Sequence, residues 1–451
     1  MNALLLNRAL GAISPAAFRR HETSRLLHSL QPTSLRFDSS AQLEDDTLPE
    51  DLRAHAAGVN AMTIDRFEGR YLLSGGADSS ICMWDLESRE DRSVTTFYPL
   101  GALRKTSTAH SFGITHVSFY PFDSLAFLSS SYDHTLKIYS SETLEVSASF
   151  DLNHVVYSHS MSPIASHLLV ACATQQPAVR LVDLRSGAAT HSLAGHGGAV
   201  LSTAWSPTTD HLVASGGTDG TVRLWDIRRS AGCLGVLDME DSIGVMGFDG
   251  LGGGARNRQQ GRAHTGAANG VVWTEDGRHL VTTGHDERVR VWDTVTGANT
   301  LASFGPTIKN AHLSALLPLL SPSALTAPSK ELLFYPSERE ILVYEAFEGR
   351  LLKRLKTPHR STGTVGAARS QRQLKNRTTA LAWRAHDVEM YSAHSDGTIR
   401  VWAPRTEEDF MVEEEEKEEA EHEEQTRKRK REALEEIYRD FSKKQMTFNL
   451  A

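Results

Sequence analysis

The sequence has few cysteines and no long apolar run. Its 451 residues include three cysteines, Cys82, Cys172 and Cys233, and no two of them form a CxxC pair. This distribution argues against a zinc site or a disulfide framework and favours a reducing compartment, so we predict no metal and no cofactor. Because no apolar run approaches the roughly 18 residues of a transmembrane helix, we also predict no membrane association.

Excess positive charge is lacking as well. The formal net charge is −8, and residues 406–451 hold 16 acidic and 9 basic residues. The first 405 residues hold 40 acidic and 39 basic residues and are almost neutral. Since a protein that binds nucleic acid directly and strongly carries a basic surface, we predict no strong direct DNA binding.

What the sequence does contain is a repeated unit. Five times, an aspartate lies six residues before an aromatic residue and four residues after a Ser or Thr, and a histidine lies upstream. In the last copy, an insertion of about 15 residues moves the histidine further away. The five sets are His55, Ser74, Asp78 and Trp84; His110, Ser129, Asp133 and Tyr139; His196, Ser215, Asp219 and Trp225; His264, Thr282, Asp286 and Trp292; and His359, Ser392, Asp396 and Trp402.

Each unit alternates apolar and polar residues over short stretches such as "TVRLWD" and "RVRVWD". This alternation predicts β-strands joined by tight turns. The aspartate can accept hydrogen bonds from the histidine and from turn amides, while the hydroxyl links the histidine to the tryptophan indole N–H. Such a network satisfies buried polar groups that would each cost about 1–3 kcal/mol if left unpaired. The sequence therefore resembles WD-repeat β-propellers.

Two further copies are degenerate. One has Gln176 and Val182 in the Asp and Trp positions, and the other has Glu338 and Tyr344. We therefore predict an all-β, seven-bladed WD-repeat β-propeller over residues 34–405, with loop insertions at 238–261 and at about 361–375. The stretch "SLRFD", residues 34–38, is expected to be the outer strand of the last blade, where it removes a free sheet edge.

The stretch before the propeller, residues 1–33, is expected to be helical. In "SPAAFRRHETSRLLHSL", Ser14 can cap a helix, Pro15 suits its first turn, and Phe18 and Leu26 belong to an apolar stripe. Since two short helices have no core of their own, we favour binding to a partner. A packed or frayed N-terminus remains open, as does a mitochondrial transit peptide, because the first 37 residues hold five arginines and one acidic residue.

The last segment, residues 406–451, is expected to be a charged tail that is partly helical or disordered. In this tail an acidic block is followed by a basic run, Arg427, Lys428, Arg429, Lys430 and Arg431. Such a run is typical of a nuclear import signal, and on this basis we predict a nuclear protein. The alternative is a solvated extension without a targeting role.

Arg228 lies two residues after Asp226 in the stretch "TDGTVRLWDIRR". An arginine at the rim of a blade is ordinarily a solvated charge. Here, however, the stretch resembles the DWD box by which WD-repeat substrate receptors bind the damaged-DNA-binding adaptor of cullin-RING ubiquitin ligases. Arg185, in "VDLR", has the same offset but lacks the preceding tryptophan.

Several stretches together carry a closer resemblance. The stretches "FRRHETSR", "GRYLLSGGADSSICMWDLE", "VVYSHSMSP", "TLKIYSSETL" and "LWDIRRSAGCL" are similar to the Cockayne syndrome A protein family. The resemblance implies a nuclear, non-catalytic substrate receptor in transcription-coupled nucleotide excision repair, joined to the adaptor, a cullin and a RING subunit. Its substrates or assembly partners would be a repair ATPase of the Cockayne syndrome B type and RNA polymerase. The adaptor contacts that it implies are Phe18, Arg19, Arg20, Leu26, Asp226 and Arg228.

Two other classes of function remain. One is a WD-repeat scaffold of a different nuclear assembly, such as one in chromatin or RNA processing, with Arg228 merely exposed. The other is an enzyme built on a propeller. Five copies of one His, Ser or Thr, and Asp spacing favour architecture over catalysis, since a catalytic site is a single asymmetric constellation. We predict no catalytic residue.

Overall fold

A computed structural model of the chain describes residues 2–39, 53–88, 96–105, 108–229, 233–240, 261–327, 330–356, 377–384 and 386–405. The chain divides into two compact units, residues 1–403 and residues 404–451. Only the first two residues of the second unit fall within the described ranges. No helix in these ranges has the length and apolar character needed to cross a membrane.

Two helices begin the chain, α1 (Asn2–Ala9) and α2 (Pro15–His28). The hydroxyl of Ser14 accepts a hydrogen bond from the backbone N–H of Ala17, 3.2 Å away, and caps the N-terminus of α2. Near the other end of α2, Leu27 is fully buried in an apolar cluster that also contains Leu325 and Trp402. The predicted helical segment is therefore present, and α2 packs on the body that follows it.

Seven sheets follow one another along the chain, and we number them as blades 1 to 7. The strands of blades 1, 2 and 3 are, from the central axis outward, β3 (Val59–Ile64), β4 (Tyr71–Gly76), β5 (Ile81–Asp85) and β7 (Pro99–Leu103); β8 (Ile114–Phe119), β9 (Ala126–Ser131), β10 (Thr135–Ser140) and β11 (Val146–Asp151); and β12 (Val156–Met161), β13 (Leu169–Thr174), β14 (Ala178–Asp183) and β15 (Ala188–Ala194).

Blades 4 to 7 continue the ring. Their strands are β16 (Val200–Trp205), β17 (Leu212–Gly217), β18 (Val222–Asp226) and β19 (Cys233–Val236); β20 (Ala268–Trp273), β21 (His279–Gly284) and β22 (Arg288–Asp293); β23 (Leu319–Leu320), β24 (Leu332–Pro336), β25 (Glu340–Glu345) and β26 (Leu351–Lys356); and β27 (Thr378–Arg384), β28 (Glu389–His394), β29 (Ile399–Pro404) and β1 (Leu30–Pro32). The predicted seven-bladed β-propeller is confirmed.

The strand that closes the ring differs from the expected one. β1 forms the outer edge of blade 7, and the backbone N–H of Thr33 donates to the carbonyl of Val401 at 2.9 Å. The stretch "SLRFD" instead contains β2 (Arg36–Phe37), which pairs in parallel with β6 (Thr96–Phe97). Phe37 is buried there, with its ring 5.0 Å from that of Trp84 in blade 1. The expectation for residues 34–38 was therefore wrong, because this stretch forms a separate two-stranded sheet with β6 and packs on Trp84 of blade 1.

Packing between neighbouring blades forms the core. Leu72 and Leu73 of β4 are both fully buried although successive side chains of a strand point to opposite faces. Leu72 belongs to an apolar cluster with Val401 of blade 7, and Leu73 belongs to one with Phe127 of blade 2. Both faces of a blade are buried because each blade lies between two others.

The turns between the second and third strands hold neighbouring blades together. The residue after each network aspartate has a left-handed backbone, with φ of 75° at Gly220 and 85° at Gly397. A Cβ atom on Gly220 would lie 2.4 Å from the carbonyl oxygen of His264, and one on Gly397 would lie 2.5 Å from that of His55. Glycine is needed at these two turns because the loop of the following blade approaches so closely.

Candidate functional site

Blade 4 contains the predicted hydrogen-bond network. Nε2 of His196 lies 2.7 Å from Oγ of Ser215, and the indole N–H of Trp225 donates to the same oxygen at 2.7 Å. The carboxylate of Asp219 accepts from the backbone N–H of Gly197 at 2.7 Å and lies 3.4 Å from Nδ1 of His196. Ser215 is fully buried, so its hydroxyl joins two side chains that have no access to water.

Three other blades repeat this arrangement with local differences. In blade 2, Nδ1 of His110 lies 2.9 Å from the carboxylate of Asp133. In blade 5, Nδ1 of His264 lies 2.9 Å from the carboxylate of Asp286. In blade 1, Nδ1 of His55 is 3.6 Å from Asp78 and makes its shorter contact, 2.6 Å, with the hydroxyl of Ser80. The remaining hydroxyl contacts join His55 to Ser74, His110 to Ser129, His264 to Thr282, Trp84 to Ser74 and Trp292 to Thr282.

The four aspartates are held in their charged form. Burial by itself raises the pKa of each carboxyl group, but hydrogen bonds from the histidine and the neighbouring amides and hydroxyls outweigh burial. The result is a pKa well below the usual aspartate range for Asp78, Asp133, Asp219 and Asp286. These carboxylates are therefore strong acceptors at neutral pH, and only 7–21% of each side chain is exposed.

Blade 7 uses a histidine that the repeat spacing did not indicate. His359 lies outside the described residues, and Nε2 of His394 lies 2.9 Å from Oγ of Ser392. The indole N–H of Trp402 donates to the same hydroxyl at 2.8 Å. His394 follows Ser392 by two residues on β28, so its position relative to Ser392 could have been read from the sequence.

Blades 3 and 6 replace the network with other contacts. In blade 3, Nε2 of Gln176 lies 2.6 Å from Nε2 of His154, 22 residues upstream, which reproduces the usual spacing with an amide in place of a carboxylate. In blade 6, the hydroxyl groups of Tyr344 and Thr307 are 2.7 Å apart, and Phe334 is fully buried where other blades have the hydroxyl residue. Both blades nevertheless have four strands.

Arg228 is exposed at the end of blade 4 and is held in place by Asp226. Its Nε donates to one carboxylate oxygen at 3.0 Å and its Nη2 donates to the other at 2.9 Å. The Arg228 side chain is 63% exposed, whereas that of Asp226 is 3% exposed. The hydrogen bond from Arg228 outweighs burial and lowers the pKa of Asp226 to about 2. A fixed, solvent-exposed guanidinium is thus available for contact with a protein partner.

Arg185 lacks this support. In blade 3, the carboxylate of Asp183 accepts from the backbone N–H of Arg185 at 3.0 Å. In blade 1, the corresponding Asp85 is paired with Arg70, which comes from the loop before β4 and donates to both carboxylate oxygens. In blade 4, by contrast, Arg228 lies two residues after Asp226 and donates to both oxygens of its carboxylate.

The predicted N-terminal contact residues fall into two groups. Phe18 is 6% exposed and has the guanidinium of Arg8 4.6 Å from its ring centre, so this side chain faces the protein itself. Arg19 and Leu26 are exposed, and Arg20 is half-buried. Phe18 therefore supports α2 and is not free to contact a partner.

Arg228 and α2 belong to the same face of the propeller. We call lower the face that carries, in each blade, the loop from the first strand to the second and the loop from the third strand to the fourth. The upper face carries the remaining loops. Arg228 follows β18 in a loop of the lower face. The hydroxyl of Thr23 in α2 donates to the carbonyl of Leu325, which lies in the lower-face loop between β23 and β24.

Exposed apolar side chains occur on both faces. On the lower face they lie in the first loops of three consecutive blades, where Phe67 is 47% exposed, Leu125 68% and Ile164 51%. On the upper face, Phe112 and Tyr132 are exposed beside each other at blade 2. The predicted basic run of residues 427–431 lies outside the described residues.

Comparisons with known proteins agree with this arrangement. The WD domain, G-beta repeat, matches residues 47–85, 101–140, 187–226 and 257–293. These ranges end with the third strands of blades 1, 2, 4 and 5, the blades in which the upstream histidine contacts the hydroxyl residue.

Relatives of more than one kind are similar to this chain. WD repeat-containing protein ATCSA-1 of Arabidopsis thaliana is 28% identical, over 91% of this chain and 96% of that protein. Ribosome biogenesis protein YTM1 of Phaeosphaeria nodorum is 30% identical, over 45% of this chain and 42% of that protein. The ribosome biogenesis protein WDR12 homolog of Chlamydomonas reinhardtii is 28% identical, and the match covers 48% of this chain and 52% of that protein. The chain thus spans about half the length of these ribosome biogenesis proteins.

The assignment to the Cockayne syndrome A protein family was wrong. Ribosome biogenesis proteins match at identities of 28–30%, as high as the identity to ATCSA-1, and they point to a different group of WD proteins. Most of the stretches that carried the resemblance lie in the repeats, which other WD-repeat propellers share. The chain is a WD-repeat protein that folds as a seven-bladed β-propeller.

Proposed function

We propose that this protein is a non-catalytic scaffold of a nuclear protein assembly and that it binds other proteins at the faces of its propeller. The observation that carries the proposal is the row of exposed apolar side chains, Phe67, Leu125 and Ile164, on the lower face of three consecutive blades. Exposed apolar side chains on one face of a protein can serve as contact points for a protein partner. The names of the ribosome biogenesis relatives support a role within a larger assembly.

A charge-introducing variant tests this role. Leu125→Glu and Ile164→Glu together should reduce the recovery of co-purifying nuclear proteins, because two carboxylates would be buried against apolar partner surfaces. The matched control is Leu313→Glu, which alters a residue that is 56% exposed and lies next to an upper-face contact between His285 and His312. Equal recovery with both variants would contradict binding through the lower face.

Nuclear localisation rests on the basic run. Replacing Arg427, Lys428, Arg429, Lys430 and Arg431 by alanine is expected to move a fluorescent fusion of the full chain into the cytoplasm, since five adjacent cations suit an acidic import receptor. Fluorescence microscopy gives the nuclear fraction. A fusion that stays fully nuclear would show that these residues are only a solvated charge run.

A second candidate function is favoured by the fixed guanidinium of Arg228. In this case the protein is a substrate receptor that binds the damaged-DNA-binding adaptor of a cullin-RING ubiquitin ligase through Arg228, Arg19, Arg20 and Leu26. A cullin and a RING subunit would join through the adaptor. The upper face would then bind substrates, of which a repair ATPase and RNA polymerase in DNA repair are the expected ones. Arg228 and α2 share the lower face, so that one partner could contact both.

Arg228→Glu separates this candidate from the scaffold. The variant should remain folded but less stable than the wild type, because the buried carboxylate of Asp226 loses its bidentate partner and gains a like charge beside it. Adaptor binding should weaken by about 2–5 kcal/mol if the contact is desolvated. The matched control, Arg185→Glu, should have a smaller effect. Undiminished adaptor pull-down by folded Arg228→Glu protein would eliminate the second candidate.

A further inference from the structure

Blade 5 has three strands in the described part of the chain, whereas the other six blades have four. Its third strand, β22, is therefore an edge strand. Only one isolated bridge, between Trp292 and Asn299, continues the sheet outward. An edge strand with open backbone groups is a template for pairing with another chain.

The fourth strand of blade 5 ends after a single β-bridge, and the cause is local. The backbone N–H of Thr300 donates to the carbonyl of Val291 at 2.9 Å, as an outer strand would. The next residue, Leu301, has a φ of 61°, and its N–H donates to the side-chain oxygen of Asn299 at 3.0 Å. This side-chain turn rotates the chain away from β22 and ends the pairing.

The segment that diverges from β22, residues 301–305, packs against blade 6. A Cβ atom on Gly349 would lie 2.4 Å from the carbonyl oxygen of Ser303, so the backbone of Ser303 lies directly against the outer turn of blade 6. The ring of Phe304 packs edge-on against that of Tyr344, with centroids 5.3 Å apart. Residues 301–305 are thus fixed to the neighbouring blade and cannot cover β22 without losing these contacts.

Because residues 301–305 diverge from β22, backbone groups of this strand have no hydrogen-bond partner among the described residues. Since Val291 directs its carbonyl outward, Val289, two residues earlier, directs its N–H and C=O to the same side. At the matching position of blade 4, the carbonyl of Val222 accepts from the N–H of Leu237 at 2.9 Å. No described residue makes this contact with Val289.

A cleft occupies the place of the missing strand. Its volume is about 210 Å³, and its walls include Arg288, Val289, Phe304 and Ile308. Val289, Phe304 and Ile308 are buried, while Arg288 is exposed and makes no ion pair with a described residue. No acidic residue lines the cleft. The cleft thus offers an apolar floor, an open strand edge and one available cation.

We propose that this cleft binds an extended, acidic peptide segment of a partner protein as the fourth strand of blade 5. Backbone pairing with Val289 would give affinity, alternate apolar side chains would contact Phe304 and Ile308, and a carboxylate would pair with Arg288. The proposal is independent of the function proposed above, since it concerns the outer rim of one blade and neither face of the ring.

A fluorescein-labelled eight-residue peptide that alternates glutamate and valine tests the proposal on the full-length protein. We expect saturable binding by fluorescence anisotropy, with slower amide hydrogen exchange at Val289 and Val291 in the complex. A version with N-methylated backbone amides should not bind, because it cannot pair with the edge. Equal binding of the N-methylated peptide, or of a version with lysine for glutamate, would overturn the proposal.

Two variants give matched controls. Arg288→Glu should weaken binding of the acidic peptide by about tenfold, whereas Arg278→Glu, at a 79% exposed side chain on the opposite end of the same blade, should leave it within about twofold. Val289 in the free protein should exchange its amide faster than Leu136, the matching residue of blade 2, which pairs with Phe150 of the outer strand. If Val289 is already as protected as Leu136, or if light scattering shows a dimer that Arg288→Glu abolishes, the edge is closed or belongs to a second copy, and the proposal fails.

Discussion

Acidification from pH 7 to pH 4 is expected to lower the stability of the propeller by about 3 kcal/mol or more, chiefly through its buried histidines. Burial lowers the pKa of His116 to about 4, and Nδ1 of this ring is buried without a partner among the described residues. Burial also lowers the pKa of His159, His264 and His394 below the ordinary histidine value of 6.5.

The direction of this pH dependence follows from proton uptake. A histidine with a lowered pKa in the folded state binds its proton first in the unfolded chain, so that stability falls as pH decreases from 6.5 towards the folded value. The network aspartates affect stability in a lower pH range. Their lowered pKa values stabilise the fold above the unfolded value of about 3.9 and lose this contribution only below it.

Thermal unfolding at pH 7, 5.5 and 4 measures the effect. His116→Asn, which cannot bind a proton in this range, should reduce the change in melting temperature between pH 6.5 and pH 4, whatever its own stability at pH 7. A wild-type melting temperature that stays constant from pH 7 to pH 4.5 would contradict the assignment of these histidines as buried and neutral.

Asp219→Ala is expected to lower the free energy of unfolding by about 2–4 kcal/mol. The substitution removes the acceptor of the Gly197 and Thr221 amides and the carboxylate beside His196, and the Asp219 side chain is only 16% exposed. Its loss leaves the buried residues His196 and Thr221 without this acceptor. Denaturant titration or differential scanning calorimetry provides the measurement.

The matched control is Asp210→Ala in the same blade. The Asp210 side chain is 50% exposed and pairs with the half-buried His211 at 2.7 Å, a contact worth little at the surface. This control should change the free energy of unfolding much less than Asp219→Ala does. Similar losses in the two variants would show that the network contributes no more to stability than an ordinary surface pair.

Regular spacing made the fold and most of the network predictable from the sequence. The distances between His196, Ser215, Asp219 and Trp225 recur because each blade must place the same groups on the same strands and turns. In blade 7 the histidine contact could not be read from this spacing, since His394 reaches Ser392 from the same strand. His154 was missed because blade 3 has Gln176 in place of the aspartate, so that no carboxylate marked the histidine 22 residues upstream.

The N-terminal segment was harder to predict because tertiary contacts decide its pairing. Both Leu30–Pro32 and "SLRFD" alternate apolar and polar residues, and only the packing of Phe37 against Trp84 distinguishes the closing strand from its neighbour. Likewise, the apolar stripe containing Phe18 and Leu26 did not indicate which residue faces the protein. In the structure Phe18 is buried and Leu26 is 37% exposed.

Quantitative mass spectrometry of proteins that co-purify with the tagged full-length chain from nuclear extract tests the scaffold proposal most directly. The expected result is a set of nuclear assembly proteins at near-stoichiometric amounts, reduced by Leu125→Glu with Ile164→Glu and unchanged by Arg228→Glu. Recovery of the adaptor and a cullin as the near-stoichiometric partners, lost with Arg228→Glu, would contradict the scaffold proposal and favour a ubiquitin ligase receptor instead.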